Sequence, residues 1–151
     1  MEAVILIGIQ ASGKSSFCRD RFYNTHIRIN LDMLKTRHRE KILVQACLDA
    51  QQRFVVDNTN PKPADRARYI VPAKDNRFRV VGYYFQSVLE DCKRRNSQRQ
   101  GKQVIPVTGI LATHKKLVLP RWHEGFDALY YVKIGTNYSF IVKEWDQYSK
   151  G

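Results

Sequence analysis

An uninterrupted apolar run from Ala3 to Ile7 leads directly into the segment Gly8 to Ser15, which contains two glycines and a lysine. Such a run is typical of a strand that is buried on both faces, as in a parallel sheet. The residues from Lys14 to Asn24 then predict a helix. The order of strand, glycine-rich turn and helix predicts an α/β fold with this strand at the centre of a parallel sheet.

The segment Gly8 to Ser15 fits G-x-x-x-x-G-K-[ST], the Walker A or P-loop pattern of nucleotide phosphate sites. Its glycines let backbone N–H groups turn toward the phosphates, and the following helix adds the positive end of its dipole. Lys14 would supply charge to the β- and γ-phosphates, and the Ser15 hydroxyl would hold Mg²⁺. We therefore expect ATP and Mg²⁺ as cofactors; the alternative is a plain glycine-rich turn. The predicted nucleotide-binding residues here are Gly8, Gln10, Ala11, Ser12, Gly13, Lys14, Ser15 and Ser16.

Length and composition narrow the class of protein. The 151 residues predict a single domain over positions 1–151, and the net charge of +12 favours a polyanionic partner such as nucleic acid. Cys18, Cys47 and Cys92 are odd in number and far apart, which predicts buried free thiols rather than disulfides or a zinc site. The apolar runs are too short to span a bilayer, so we expect a cytoplasmic protein without membrane contact.

Beyond the first helix, short apolar strands alternate with helical segments, as in a parallel α/β sheet of about five strands. Further strands are predicted at 27–30, 54–56, 79–85 and 128–134, with a possible edge strand at 138–142. Further helices are predicted at 39–51, 63–74, 87–98 and 107–119.

Three details of these helices are predicted as well. Pro72 should end or kink the helix at 63–74 early. Ser87 and Glu90 have the spacing of a capping box at the start of the helix at 87–98. The helix at 39–51 should bury one apolar face. The members of that face are Ile42, Leu43, Ala46, Cys47 and Ala50.

Two aspartates follow predicted strands. Ligands of open parallel sheets bind beyond the carboxyl ends of the strands, so Asp32 and Asp57 should lie at one edge with the phosphate loop. One carboxylate could accept a proton from an acceptor hydroxyl, and the other could orient Mg²⁺. Two structural roles remain open at this point: Asp32 as a helix N-cap, and Asp57 as the start of an Asx-turn.

A basic segment follows the fourth strand, from Lys93 to Lys102. Its Arg95 and Arg99 lie four residues apart and share a helix face. Guanidinium groups there could clamp the triphosphate as a lid over residues 93–106 and exclude water. The segment from Gln98 to Val104 is expected to be mobile without nucleotide. The alternative is a solvated basic face.

Together these motifs resemble the polynucleotide 5′-hydroxyl kinases of phage and mammalian end-healing enzymes. The resemblance covers nearly the whole chain. It is based on Gly8 to Ser15, Asn30-Leu31-Asp32, Asp57 to Pro61, and Arg95 to Arg99 followed by Val104-Ile105-Pro106. Two further marks of the mammalian branch are Arg66-Ala67-Arg68-Tyr69 and Glu124-Gly125-Phe126.

The resemblance implies an adenylate-kinase-like P-loop kinase, three layers α/β/α with an arginine-bearing lid, that acts in nucleic acid repair. It implies Asp32 as the general base, Arg99 on the transferring phosphate, Asp57 with Ser15 on the metal side, and Lys14 as a third catalytic residue. The implied acceptor-binding residues are Lys35, Arg37, Asn58 and Thr59.

The chain departs from the family pattern in places. Leu31 stands where the family has arginine before the catalytic aspartate, and Lys35 stands where it has a phosphate-reading arginine. Lysine supplies charge but no bidentate fork, so Arg37 could share this task. No D-x-D motif occurs in the sequence, so we expect no phosphatase in it.

Three functions remain under consideration. The favoured one is an ATP-dependent kinase of 5′-hydroxyl ends of RNA or DNA, with a basic channel. The channel is expected to carry Lys35, Arg37, Arg66 and Arg68. The second is a P-loop kinase of a small acceptor such as a nucleoside, sugar or antibiotic, which would not need so basic a surface. The third is a nucleotide-binding module without turnover, which would not need a base such as Asp32.

Overall fold

A six-stranded sheet forms the centre of the molecule in a computed structural model that describes residues 1–101 and 104–146. The strands are β1 Glu2–Ile7, β2 Ile27–Ile29, β3 Phe54–Val56, β4 Arg79–Phe85, β5 Ala128–Ile134 and β6 Phe140–Glu144. Their order in the sheet is β2-β3-β1-β4-β5-β6; the first five strands are parallel, and β6 pairs antiparallel with β5. The predicted central position of the first strand is confirmed, and the possible edge strand is present, shifted by two residues.

Helices cover both faces of the sheet, as the continuous apolar run in β1 requires. The helices are α1 Lys14–Phe22, α2 Leu31–Leu34, α3 Arg37–Ala50, α4 Pro63–Asp75, α5 Leu89–Ser97 and α6 Val107–Lys116. Ala3, Ile5 and Ile7 pack on one face with α3 and α4, and Val4 and Leu6 pack on the other with α1. A third apolar cluster joins α5 and α6 to the loop after β1.

The prediction of which face of α3 is buried is wrong. The helix begins at Arg37, capped by the Thr36 hydroxyl, and it buries Val44, Cys47 and Leu48, whereas Ile42 is 57% exposed. Ala46 and Ala50 are also exposed, so only Cys47 and the partly buried Leu43 of the predicted set face the core. Apolar residues occupy more than half of the circumference of α3, so their spacing alone does not fix which side meets the sheet.

Two helix boundaries also differ from prediction. Pro72 lies inside the last turn of α4, which continues to Asp75. The Pro72 carbonyl accepts from the backbone N–H of Asn76 at 3.1 Å and from its side-chain amide at 2.7 Å, which completes this turn. The capping box at Ser87 does not form, and α5 begins at Leu89. The buried Ser87 hydroxyl instead accepts a hydrogen bond from the backbone N–H of Ile9 at 3.1 Å and donates to the carbonyl of Phe85.

Arg66 is fully buried, which corrects its predicted place in a basic surface channel. Its guanidinium binds the carboxylate of Glu124 at 2.9 and 3.1 Å and donates to the carbonyls of Asn60, Pro61 and Val118. These partners satisfy the planar fork and neutralise its charge. Arg66 therefore joins α4 to the loops that follow β3 and α6.

The three cysteines are buried and unpaired, as predicted. In the part of the chain that the structure describes, no helix is long and apolar enough to cross a membrane.

The buried ion pair yields a stability prediction. Replacing Glu124 by alanine leaves the Arg66 charge buried without its counterion, so we expect a loss of about 3–5 kcal/mol in the free energy of unfolding, measured by urea denaturation. Glu90→Ala is the matched control, since Glu90 is 80% exposed and only meets Lys93 at 3.5 Å. Its loss should stay below about 1 kcal/mol. Equal losses in the two variants would contradict the role given to Arg66.

Candidate active site

A cavity of about 620 Å³ opens beyond the carboxyl ends of β1, β2 and β3. Its wall contains the loop after β1, the turn from Asn30 to Asp32 after β2, and residues 57–62 after β3. Arg99, Ile105 and two residues of α6, Thr113 and Lys116, close the other side. The parallel sheet thus brings the phosphate loop, both predicted aspartates and the basic segment to one place.

The loop after β1 has the backbone of a phosphate cradle. Gly13 has a left-handed φ of 105° at the start of α1, a conformation that favours glycine. A Cβ on Gly8 would lie 2.8 Å from the Ser12 hydroxyl and 3.0 Å from Phe85, so only glycine fits there. The backbone N–H of Gly8 donates to the carbonyl of Thr59 at 3.0 Å, which fixes the loop against the segment after β3.

Lys14 is folded over this loop. Its Nζ lies 2.8 Å from the carbonyl oxygens of both Gly8 and Ile9, and the side chain is buried. Burial lowers the pKa of Lys14 to about 8, although the nearby carboxylates of Asp57 and Asp32 favour its charged form. Phosphate oxygens are stronger hydrogen-bond partners for an ammonium than carbonyl oxygens are. Lys14 Nζ can therefore exchange these two carbonyls for the oxygens of a bound triphosphate.

Ser15 and Asp57 form the predicted metal side. The Ser15 hydroxyl donates to Asp57 Oδ2 at 2.9 Å, and Asp57 is 2% exposed. A hydroxyl and a carboxylate are the oxygen ligands that Mg²⁺ prefers, so the residues present fit this ion. The Asp57 carboxylate accepts from a side chain of another element, Ser15 in α1. This contact explains its position without the alternative of an Asx-turn.

Arg28 was not anticipated from the sequence. Its Nε donates to the same Oδ2 of Asp57 at 2.9 Å, and its Nη2 lies 3.5 Å from the Ser15 hydroxyl. The guanidinium is the counterion of the buried carboxylate. The one signal in the sequence is a charged residue between Ile27 and Ile29 in an otherwise apolar strand.

Asp32 lies in the first turn of α2, exposed at the cavity wall. The N-cap of α2 is Asn30, whose Oδ1 accepts from the backbone N–H of Met33 at 2.9 Å. The structural alternative for Asp32, a helix N-cap, is therefore wrong. Its carboxylate is available to a ligand in the cavity.

A buried carboxylate that the sequence did not reveal, Glu40, binds two of the predicted acceptor residues, Arg37 and Asn58. It accepts hydrogen bonds from Arg37 at 2.8 Å, from the Tyr69 hydroxyl at 2.9 Å and from the Asn58 amide at 3.0 Å. The Asn58 Oδ1 in turn accepts from the backbone N–H of Leu31 at 2.9 Å, directly before the predicted base. Glu40 thus links α3 and α4 to the turn that carries the catalytic candidate.

The predicted acceptor residues divide into two groups. Arg37, Asn58 and Thr59 line the cavity, whereas Lys35 ends α2 with a left-handed φ of 76° and is exposed. Two lysines that the sequence did not single out, Lys62 and Lys116, also line the cavity.

The two lid arginines have different positions. Arg99 lines the cavity, but Arg95 is held against the phosphate loop, with its Nε donating to the carbonyl of Ala11 at 2.7 Å. Asn96 closes the lid loop at its base, because its amide exchanges two hydrogen bonds with the backbone of Ile105 at 2.7 and 2.8 Å. The segment predicted to be mobile, 98–104, includes residues 102 and 103, which lie outside the described residues.

A family model described as "AAA domain" matches residues 34–117, more than half of the chain. Among similar proteins, one from Acanthamoeba polyphaga mimivirus, named a bifunctional polynucleotide phosphatase/kinase, is 30% identical over 135 residues. The bifunctional polynucleotide phosphatase/kinase of Schizosaccharomyces pombe is 26% identical over 132 residues. The matches cover 85% and 83% of this chain but only 32% of each relative, so the chain spans about a third of their length. They confirm the resemblance to polynucleotide kinases.

Solved structures share the fold. A gluconokinase from Sinorhizobium meliloti superimposes with a TM-score of 0.60 at 16% identity, covering 86% of this chain and 82% of that protein. Kti12 of Chaetomium thermophilum, solved with ADP-AlF3, gives a TM-score of 0.63 at 15% identity, with 87% and 88% covered. The fold is therefore the α/β fold of P-loop kinases, as predicted.

The position of Lys14 predicts a pH dependence of nucleotide binding. Phosphates favour its charged form, and its pKa in the nucleotide-free protein is about 8, so ATP binding takes up a proton above that pH. The Kd for ATP should therefore rise between pH 8 and 9.5, by at most about tenfold per pH unit, in titration calorimetry. Phosphate groups, with a second pKa of about 6, stay ionised over this range.

The matched control for this dependence is Lys14→Ala, which should fold, bind ATP more weakly and show a flat profile over the same pH range. A profile that keeps its slope in the alanine variant would assign the dependence to another group.

Proposed function

Because this chain belongs to the AAA domain family and unites a phosphate loop, an exposed aspartate and a lid arginine in one cavity, we propose that it is an ATP-dependent kinase of 5′-hydroxyl ends of RNA or DNA. The observation that carries the proposal is that Asp32, Arg99 and Lys14 line the same cavity. A module that only bound nucleotide would need neither a base nor a lid arginine there.

Phosphoryl transfer needs little covalent participation by the protein. The reaction needs an aligned acceptor and positive charge around the transferring group. Lys14 and Arg99 supply that charge from opposite walls. Asp32 takes the proton of the attacking hydroxyl. Ser15 and Asp57 would hold Mg²⁺, which supplies charge neutralisation at the phosphates.

Two observations favour a nucleic acid as the acceptor. The net charge is +12, and the cavity wall has cations beyond those that ATP needs, namely Arg37, Lys62 and Lys116. The two named relatives are polynucleotide phosphatase/kinases. We also propose that residues 1–151 act as one kinase domain in nucleic acid repair in the cytoplasm, a reducing compartment that suits three free thiols.

The small-acceptor kinase is the second candidate, supported by the fold that the chain shares with a gluconokinase. The deciding experiment offers γ-labelled ATP together with 5′-hydroxyl oligonucleotides, a nucleoside 3′-monophosphate and simple sugars. We expect label on the oligonucleotides, with an apparent KM that rises with salt because phosphate contacts release counterions. The nucleoside 3′-monophosphate, with one phosphate to hold, should show a weaker salt response. Label on a sugar or nucleoside but on no oligonucleotide would replace the proposal with the second candidate.

The role of Asp32 is tested by Asp32→Asn, which keeps the shape of the side chain and removes its basicity. Transfer to a 5′-hydroxyl oligonucleotide should fall by a factor of about 10² or more, while the Kd for ATP stays unchanged. Single-turnover kinetics and calorimetry give the two quantities. A parallel loss of ATP binding and of transfer would show instead that the residue shapes the cavity.

A further inference from the structure

A second cavity, of about 350 Å³, lies between α3 and α4 beside the candidate active site. Arg37 lines both cavities, so the two meet at this side chain. The α3 residues in its wall run from Arg37 to Leu48. At a rise of 1.5 Å per residue, the groove follows the helix for about 16 Å away from the turn with Asp32.

The groove has an apolar floor and a basic rim. Val44, Leu48 and the half-buried Pro72 form the floor. The exposed side chains of Lys41 and Arg68 form the rim. The carboxylate of Glu40 also faces the groove, but it is already bound by Arg37, Tyr69 and Asn58. The rim therefore keeps a positive excess of charge.

Cations beside an apolar floor fit single-stranded nucleic acid. Backbone phosphates meet lysine and arginine in such a groove, and the faces of unpaired bases can pack on its apolar side chains. In a duplex the bases are stacked inside the helix, and the same floor would stay uncovered. A small sugar acceptor would fit in the first cavity and would not reach Lys41 or Arg68.

We propose that this groove binds the single-stranded nucleotides that follow the 5′-terminal nucleotide of the acceptor. This inference rests on the proposed function. The 5′-hydroxyl lies at Asp32, the strand passes Arg37, and the next phosphates lie at Lys41 and Arg68. The groove therefore makes the enzyme selective for an unpaired 5′ end of several nucleotides over a mononucleotide or a blunt duplex.

The first test measures binding alone, without ATP. An eight-nucleotide 5′-hydroxyl single strand with a 3′ fluorophore is titrated with the protein at several salt concentrations, and the Kd is read from anisotropy. Lys41→Gln and Arg68→Gln should each weaken binding and reduce the slope of log Kd against log salt by about 0.7, the share of one phosphate contact on a single strand. The matched control is Arg19→Gln, because Arg19 is exposed on α1, which packs on the opposite face of the sheet. Equal slopes in all variants overturn the proposal.

The second test uses turnover and varies the acceptor. For the wild type, kcat/KM should be higher for the single strand than for a nucleoside 3′-monophosphate or for a blunt duplex. Lys41→Gln should reduce this ratio, and Arg19→Gln should not. A single strand with abasic sites at its second to fourth positions should lose the advantage, since it has phosphates but no bases for the floor. The groove proposal is overturned if Lys41→Gln leaves this ratio of kcat/KM values unchanged, or if the wild type prefers the duplex.

The two tests separate the groove from the proposed function. If oligonucleotides are phosphorylated but their length has no effect, the proposed function stands and the groove proposal fails. If no nucleic acid accepts phosphate, the proposed function fails, and the anisotropy experiment still decides whether the groove binds a single strand.

Discussion

The site depends on one structural constraint, the burial of β1 between β3 and β4 in a parallel sheet. Because the strands run in the same direction, the phosphate loop begins beside the ends of two other strands. The Asn60 amide donates to the carbonyl of Leu6 at 2.8 Å, and the Ser87 hydroxyl accepts from Ile9. The two contacts hold the loop from either side, so the ends of the neighbouring strands fix the shape of the cradle.

The buried charged groups around the site each have a partner within the fold. The Lys14 ammonium donates to carbonyl oxygens, the Asp57 carboxylate accepts from Arg28, and the Glu40 carboxylate accepts from Arg37. An unpaired charge at these depths would be costly, so each is compensated within the fold. A bound nucleotide would give Lys14 phosphate oxygens in exchange for carbonyl oxygens, so its charge would not lose its partners. The lowered pKa of Lys14 shows that carbonyls and nearby carboxylates offset its burial only in part, and phosphate supplies the remainder.

The sequence predicted what local pattern and topology determine, and it did not predict long-range contacts. β1, the phosphate loop and the two aspartates could be placed because strand ends in a parallel sheet share one edge. Arg28, Glu40 and Asn96 could not, because each has a decisive partner in another segment, 9 to 29 residues away, and such contacts leave no periodic signal. Ser87 and Arg66 were misassigned for the same reason: a hydroxyl beside a helix start and a basic residue in a basic chain have many possible partners. Side-chain chemistry indicates what a residue can bind, and the fold selects which partner it meets.

The two arginines of the predicted lid have different positions, although the sequence assigned both of them to the nucleotide. Arg95 is bound to the backbone of the phosphate loop, which attaches α5 to the cradle, and Asn96 binds the backbone of Ile105. Arg99 lies beyond this anchor, on the cavity wall. A guanidinium close to a rigid anchor loses less conformational freedom when it meets a phosphate than one on an untethered loop. In the proposed kinase, this anchor would keep the Arg99 charge within reach of the transferring group.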